Sequence, residues 1–195
     1  MNQRQVAAVI LAAGQSRRMG AANKLLSEYR GRPLLLHAVD TVGSLKLDQV
    51  VIVTGYESEA VRACLGQRSA AFVQARDFAV GISASIAAGV RALPEEMDAV
   101  LICLGDMPGL RAEDLSKLVE AYRSSGADPI VVPQYDGRRG NPVLWPRRFF
   151  PALLALEGDR GAKELLEQHA RDVQRVSIDH PGVLRDVDTP EDLGA

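Results

Sequence analysis

The segment Leu11-Ala12-Ala13-Gly14-Gln15-Ser16-Arg17-Arg18-Met19-Gly20 combines small residues with a hydroxyl and two guanidinium groups. Small side chains at Ala12, Ala13 and Gly14 let backbone N–H groups come close to an anion. Ser16 adds a hydroxyl. Arg17 and Arg18 add planar charge that clasps phosphate oxygens in pairs. Lys24 adds a mobile point charge further along. The residue order is neither G-x-x-x-x-G-K-[ST] nor G-x-G-x-x-G, which argues against a P-loop and against a bound dinucleotide cofactor. The plain alternative is a connecting loop with solvated arginines.

Carboxylates supply the second kind of chemistry. Asp106 closes the run Leu101-Ile102-Cys103-Leu104-Gly105-Asp106-Met107-Pro108. One or two carboxylates plus substrate phosphate oxygens are the usual setting for Mg²⁺. A lone Asp at a strand end could instead cap the next helix. Near the C-terminus, Asp186 and Asp188 are two apart and share a face if the backbone is extended. Thr189-Pro190-Glu191-Asp192 reads as a helix start, with Thr189 as N-cap and proline at the first position. One of these carboxylates could complete a metal site with Asp106, or the stretch could serve only to begin a helix.

Three further polar segments are candidates for contacts to a bound molecule. Gly81-Ile82-Ser83-Ala84-Ser85 offers hydroxyls and N–H groups for a base, ribose or phosphate, and Ser83 could equally be a plain N-cap. Gly140-Asn141-Pro142-Val143 sets an amide between backbone-restricting residues, and Gly158-Asp159-Arg160-Gly161-Ala162 has the composition of an anion-binding helix start. An ordinary turn explains either one. His37, His169 and His180 are scattered and suggest no metal cluster.

The elements that must position these residues follow from apolar runs. Val6–Ala12 and Ala99–Leu104 read as strands buried on both faces, and Val50–Thr54, Ala71–Gln74 and Ile130–Pro133 as further strands. Leu34–Val42, Glu57–Leu65, Ile82–Ala92 and Glu113–Arg123 read as helices, with Pro33 suited to the first helical turn. This alternation predicts an α/β chain with a mostly parallel sheet covered on both faces. Strand ends then gather the first loop and Asp106 at one edge, where open α/β sheets bind ligands. After Gln134 the rhythm breaks. Val143–Trp145 reads as an added strand, Arg148–Leu156 and Gly161–His169 as helices, and Val173–Ile178 as a late strand. The expected organisation is one domain over residues 1–195. About 1–130 would bind nucleotide, and about 131–195 would shape an acceptor site.

Composition narrows the function classes. A chain of 195 residues is long enough to bury a full core. Its net charge of −2 gives no reason to expect nucleic acid or an anionic membrane as partner. No apolar stretch approaches the ~20 residues that span a bilayer. Cys64 and Cys103 form no C-x-x-C pair, the pattern of reduced thiols in a cytoplasmic protein.

Taken together, the segments at Leu11–Gly20, Asn23–Leu26, Gly81–Ser85, Gly105–Pro108, Gly140–Val143, Gly158–Ala162 and Asp186–Asp192 resemble those of the MobA-like nucleotidyltransferases, in the family's order. Within that family the chain is most similar to the molybdenum cofactor cytidylyltransferases. Leu-Ala-Ala-Gly stands here where guanylyl-transferring relatives tend to have Leu-Ala-Gly-Gly, and Ile82 stands where methionine is frequent. The resemblance implies a Rossmann-like three-layer nucleotidyltransferase fold with a mostly parallel, mixed central sheet. It implies transfer of CMP from CTP to the phosphate of molybdenum-molybdopterin, with release of pyrophosphate. Leu11, Ala12, Ala13, Gly14, Ser16, Arg18, Lys24, Gly81, Ser83, Ser85, Gly105 and Asp106 would bind the nucleotide. Asp106 and Asp188 would hold Mg²⁺ or Mn²⁺. Arg18, Lys24 and Asp106 would carry catalysis, and Asn141, Pro142, Gly158 and Asp159 would face the acceptor. The implied partners are CTP, the pterin and, transiently, a molybdenum hydroxylase or its chaperone. Two rival expectations stand beside this one: a sugar- or polyol-phosphate nucleotidyltransferase, and a non-catalytic carrier of the molybdenum cofactor.

Overall fold

The computed structural model describes residues 3–16, 23–159 and 162–194. Its strands are β1 (Val6–Ala12), β2 (Glu28–Tyr29), β3 (Arg32–Pro33), β4 (Gln49–Thr54), β5 (Ala71–Gln74), β6 (Ala99–Leu104), β7 (Ile130–Tyr135), β8 (Arg138–Arg139), β9 (Val143–Pro146) and β10 (Val173–Ser177). The helices are α1 (Leu34–Gly43), α2 (Ser58–Leu65), α3 (Ile82–Arg91), α4 (Ala112–Ser124), α5 (Phe150–Leu154), α6 (Lys163–Gln168) and α7 (Pro190–Leu193).

Eight strands form one sheet in the order β10-β7-β9-β6-β1-β4-β5, with β8 paired to β7, while β2 and β3 make a separate hairpin. β1 lies parallel to both β4 and β6. β9 runs antiparallel between β6 and β7, which makes the sheet mixed. The chain steps outward from β1 to β4 and β5, then returns to the other side of β1 as β6. That reversal places a topological switch point beside the carboxyl end of β1, the usual ligand crevice of doubly wound sheets.

The strand period of two explains the layers. Val6, Ala8, Ile10 and Ala12 of β1 pack with α1, α2 and α4 residues such as Leu35, Leu65 and Leu118. Val9 and Leu11 face the opposite way, toward Ile86 and Val90 of α3 and Leu153 of α5. Every residue of β1 is buried, as its uninterrupted apolar run requires. The result is a three-layer, Rossmann-like α/β/α arrangement with a mostly parallel sheet, as the alternating runs imply. Trp145 is part of the second core layer. Both cysteines are free. No helix among the described residues is long and apolar enough to cross a membrane.

Some local expectations are corrected. Pro33 ends β3 and precedes α1 rather than entering its first turn. Ser83 lies inside α3, because Gly81 is the residue that flanks the helix start. The helix expected over 148–156 begins later, at Phe150, after a 3₁₀ turn over Arg147–Phe149. The hairpin of β2 and β3 has no apolar run to announce it.

α3 approaches β1 closely because Gly89 presents no side chain there. A Cβ at Gly89 would lie 3.0 Å from Val53 Cγ2 and closer still to Val9. Gly89→Leu is therefore expected to lower stability by about 1–3 kcal/mol through overpacking. In urea unfolding the midpoint should fall while the slope is unchanged.

Candidate active site

Three distant stretches of chain meet at the carboxyl edge of β1 and β6. β1 delivers the first loop. β6 delivers Asp106 one residue past Gly105, whose N–H donates to Leu11 O at 3.0 Å. The C-terminal tail returns along the same edge, where Val187 N–H donates to Asp106 O at 2.9 Å.

Lys24 joins the three. Its Nζ lies 2.7 Å from Asp106 Oδ2 and 2.8 Å from Asp188 Oδ1, and donates to Val187 O at 2.9 Å. Local chemistry holds the lysine in place. Asn23 caps the short 3₁₀ helix Lys24–Leu26 by accepting from Leu25 N–H at 3.1 Å. The Ser16 hydroxyl accepts from Lys24 N–H at 3.0 Å, closing the loop on itself.

Burial and charge compete here. Burial lowers the pKa of the Lys24 ammonium, but the carboxylates of Asp106 and Asp188 outweigh it and hold the value above that of an ordinary lysine. Burial raises the Asp106 carboxyl above its usual range. Lys24 opposes that rise, and the charge of Asp186 adds to it. Among the described residues, Asp106 Oδ1 is buried with no hydrogen-bond partner. A carboxylate with one buried oxygen unpaired is short of positive charge, which is the setting a hard divalent cation fits.

The tail divides its acidic residues between tasks. Asp192 Oδ2 accepts from Asp188 N–H at 3.1 Å, Thr189 N–H at 2.8 Å and Thr189 Oγ1–H at 2.9 Å. Those hydrogen bonds hold the Asp192 carboxyl below its ordinary pKa. With Asp192 capping α7, Asp188 faces Lys24, and Asp186 is exposed.

Beside these groups lies a cavity of about 550 Å³, within the ~300–1,000 Å³ range of small-molecule sites. Leu11, Ala13, Gly14, Ser16, Lys24, Gly81, Ser85, Asp106, Asp159 and Asp188 line it. Ala12, Ser83 and Gly105 are buried beside residues that line it. Gly81 has φ +147° and takes up a position where a Cβ would strike the Gly158 backbone. Ser83 N–H donates to Gly158 O at 3.3 Å, so the α3 start and the 158–159 loop form one wall. Asn141 and Pro142 are at the same sheet edge but outside the cavity lining. Asn141 is exposed, and its N–H donates to Val183 O at 2.8 Å. Arg17, Arg18, Arg160 and Gly161 lie outside the described residues.

Gln15, Phe78 and Ala79 also line the cavity. Phe78 belongs to a short turn with no motif of its own. Outside the cavity lining, His180 pairs with buried Asp114, their Nε2 and Oδ2 in contact. His180 Nδ1 accepts from Gly182 N–H at 2.9 Å. That acceptor role leaves the ring proton on Nε2, so the imidazole donates to Asp114 in its neutral form. The pair ties the tail to α4. A His-Pro-Gly sequence carries no signal of such a distant partner.

Comparison with known proteins gives this edge a context. A family model described as the MobA-like NTP transferase domain matches residues 8–173. The chain belongs to that family. It is 31% identical over 193 residues to nicotine blue oxidoreductase of Paenarthrobacter nicotinovorans, covering 96% of this chain and 94% of that protein. It is 34% identical over 126 residues to the bifunctional protein GlmU of Oceanobacillus iheyensis, covering 64% of this chain and 27% of GlmU. The crystal structure of Rv0371c from Mycobacterium tuberculosis H37Rv superposes with a TM-score of 0.88 at 28% identity, over 98% of this chain and 96% of that one. A manganese complex of Rv0371c superposes at 0.81 with 25% identity, over 96% and 95% of the two chains. Family and fold together support an enzyme of the nucleotidyltransferase type that handles nucleoside triphosphates.

His180→Ala removes a donor to a buried carboxylate and an acceptor for a buried N–H. It is expected to lower stability by about 2–4 kcal/mol. Amide exchange at Gly182 should accelerate more than exchange within β1.

Proposed function

We propose that this chain transfers CMP from CTP to the terminal phosphate of molybdenum-molybdopterin. The products are pyrophosphate and the cytosine dinucleotide form of the cofactor. The observation that carries the nucleotidyl chemistry is the pair Asp106 and Asp188 beside a loop of small residues, at the mouth of one cavity. The choice of CTP and of the pterin rests on the Leu-Ala-Ala-Gly form of the first loop and on the segments at Gly140–Val143 and Gly158–Ala162. In this reading residues 1–130 hold the nucleotide and 131–195 the acceptor, in the cytoplasm, where the product would pass to a molybdenum hydroxylase.

Asp106 and Asp188 would hold Mg²⁺ or Mn²⁺, which when bound supplies charge neutralisation at the triphosphate oxygens. The rest of the chemistry belongs to the chain. Backbone N–H groups from Ala13 to Ser16 cradle the triphosphate, and Ser85 borders the far side. An acceptor phosphate oxygen attacks the α-phosphorus in line. A new P–O bond forms, the bond from the α-phosphorus to the bridging oxygen breaks, and its electrons leave with pyrophosphate. Lys24 and Arg18 neutralise charge on that leaving group. The acceptor phosphate is ionised at neutral pH, so no general base is needed. Positioning supplies much of the rate. Asp159, on the cavity wall, and Asn141, at the sheet edge, would orient the acceptor.

A second reading keeps the chemistry and changes the acceptor to a sugar or polyol phosphate. A non-catalytic carrier would have no use for Lys24 between two carboxylates.

Thermal stability with CTP, GTP, ATP, UTP and NADH, each with and without Mg²⁺, is the first test. NADH is included because one full-length relative carries an oxidoreductase name. A ligand at a hundred times its Kd stabilises the fold by about 2.7 kcal/mol. A metal-dependent response to CTP, followed by pyrophosphate release with the pterin acceptor, is expected. Asp106→Asn should lower turnover by roughly 10²–10³-fold while leaving circular dichroism unchanged. Unchanged turnover in that variant, or a response to NADH alone, overturns the reading.

A further inference from the structure

Two anions must meet in the proposed reaction. The attacking phosphate oxygen has to come within ~3–3.5 Å of the α-phosphorus of a triphosphate. Lys24, Arg18 and the metal are given to the triphosphate. The residues given to the acceptor are Asn141, Pro142, Gly158 and Asp159, which include no cation, and Asp159 carries the same sign of charge as a phosphate. An anion taken out of water needs a counter-charge.

Strand register shows where one is available. In β7, Ile130 and Val132 pack in the core layer on the α3 side, while Val131 and Tyr135 pack in the layer on the other side. The period of two then puts Gln134 on the α3 side. Directly paired residues share a face. Arg139 pairs with Gln134 and so lies on the α3 side, whereas Arg138 pairs with Tyr135 and lies on the other. The cavity opens on the α3 side, since Leu11, Ala13, Phe78 and Ile82 of its lining pack in that layer.

Register also sets the level along the edge. Val131 pairs with Leu144, and Leu144 with Leu101. Three residues further on, Gln134 and its partner Arg139 are level with Leu104, which lines the cavity. Three steps along β7 match five along β8 and β9, so two extra residues bulge out between Arg139 and Leu144. An even number of extra residues leaves the alternation of faces intact. Both arginines are exposed. Among the described residues neither has an ion pair or hydrogen bond, whereas Arg32, Arg68 and Arg123 each hold a carboxylate.

We infer that Arg139 holds the phosphate of the acceptor, and that Arg138 does not. The guanidinium fork matches a phosphate group in two places and carries the positive charge that the acceptor side otherwise lacks. The inference rests on the nucleotidyltransferase reading and adds to it the group that lets a second phosphate approach the first.

Steady-state release of pyrophosphate from CTP, with varied molybdenum-molybdopterin, tests it in the full chain. Arg139→Gln is expected to raise the acceptor KM about tenfold or more. Its calorimetric affinity for CTP with Mg²⁺ should match that of wild type. Arg139→Lys should recover only part of the loss, because a point charge replaces the fork. Arg138→Gln should behave as wild type. An unchanged acceptor KM in Arg139→Gln, or an equal loss in Arg138→Gln, overturns the inference. Labelling of wild type with an arginine-specific dicarbonyl, followed by peptide mass, gives a readout without turnover. Molybdopterin should slow labelling of Arg139 and leave Arg138 unmoved, while CTP with Mg²⁺ alone should slow neither. Arg139 labelling that is slowed by CTP, or untouched by molybdopterin, also overturns it. Failure of the functional reading looks different and takes the inference with it: wild type then releases pyrophosphate with neither the pterin nor any sugar phosphate.

Discussion

An ammonium between two carboxylates organises the carboxyl edge of this sheet. Lys24 comes from the end of the first loop, Asp106 from the end of β6 and Asp188 from the tail. None of the three would keep its place unaided. Burial disfavours the charge on both Lys24 and Asp106; the contacts with Asp106 and Asp188 outweigh it for Lys24, while for Asp106 the contact with Lys24 opposes it only in part. The contact thus closes the first loop, fixes the tail and leaves one carboxylate oxygen buried without a partner. A site in this condition is stable but incomplete.

The surroundings hold that contact in register. Parallel pairing of β1 with β6 sets Leu11 against Leu104, so the loop and Asp106 emerge side by side. The tail has no strand partner at this point and is held by discrete bonds instead. His180 reaches Asp114, Asn141 reaches Val183 and Val187 reaches Asp106. Buried Ile178, Val183 and Val187 add apolar anchors between them. Asp192 then takes the helix-capping role. A single acidic run can therefore serve both a helix start and a charged site, because the two tasks fall to different residues of it.

The opposite wall depends on close backbone approach rather than charge. Gly81 lets the start of α3 lie against Gly158, which brings Asp159 to the cavity. The family resemblance groups Asp159 with Asn141 as facing an acceptor. The structure sets the two apart: Asp159 lines the cavity, and Asn141 is exposed where β9 begins. One acceptor touching both would have to extend from the cavity across the sheet edge.

By itself the sequence determined the longer strands of the main sheet, the layers and the chemical character of the edge. Short continuous apolar runs such as Val6–Ala12 and Ala99–Leu104 read as strands buried on both faces, and β-α alternation then leads to a mostly parallel sheet. Local spacing also put small residues and Asp106 at strand ends. Tertiary structure alone decided which distant groups touch. Lys24 and Asp188 are 164 positions apart, and His180 and Asp114 are 66 apart. Nothing in either local pattern names the partner. The same holds for β9, whose Val-Leu-Trp run marks burial on both faces but not insertion between β6 and β7. Periodicity encodes how much of a segment is hidden from water. The choice of neighbour depends on how the whole chain winds, and a lone charged residue reveals its role only when packing has taken its water away.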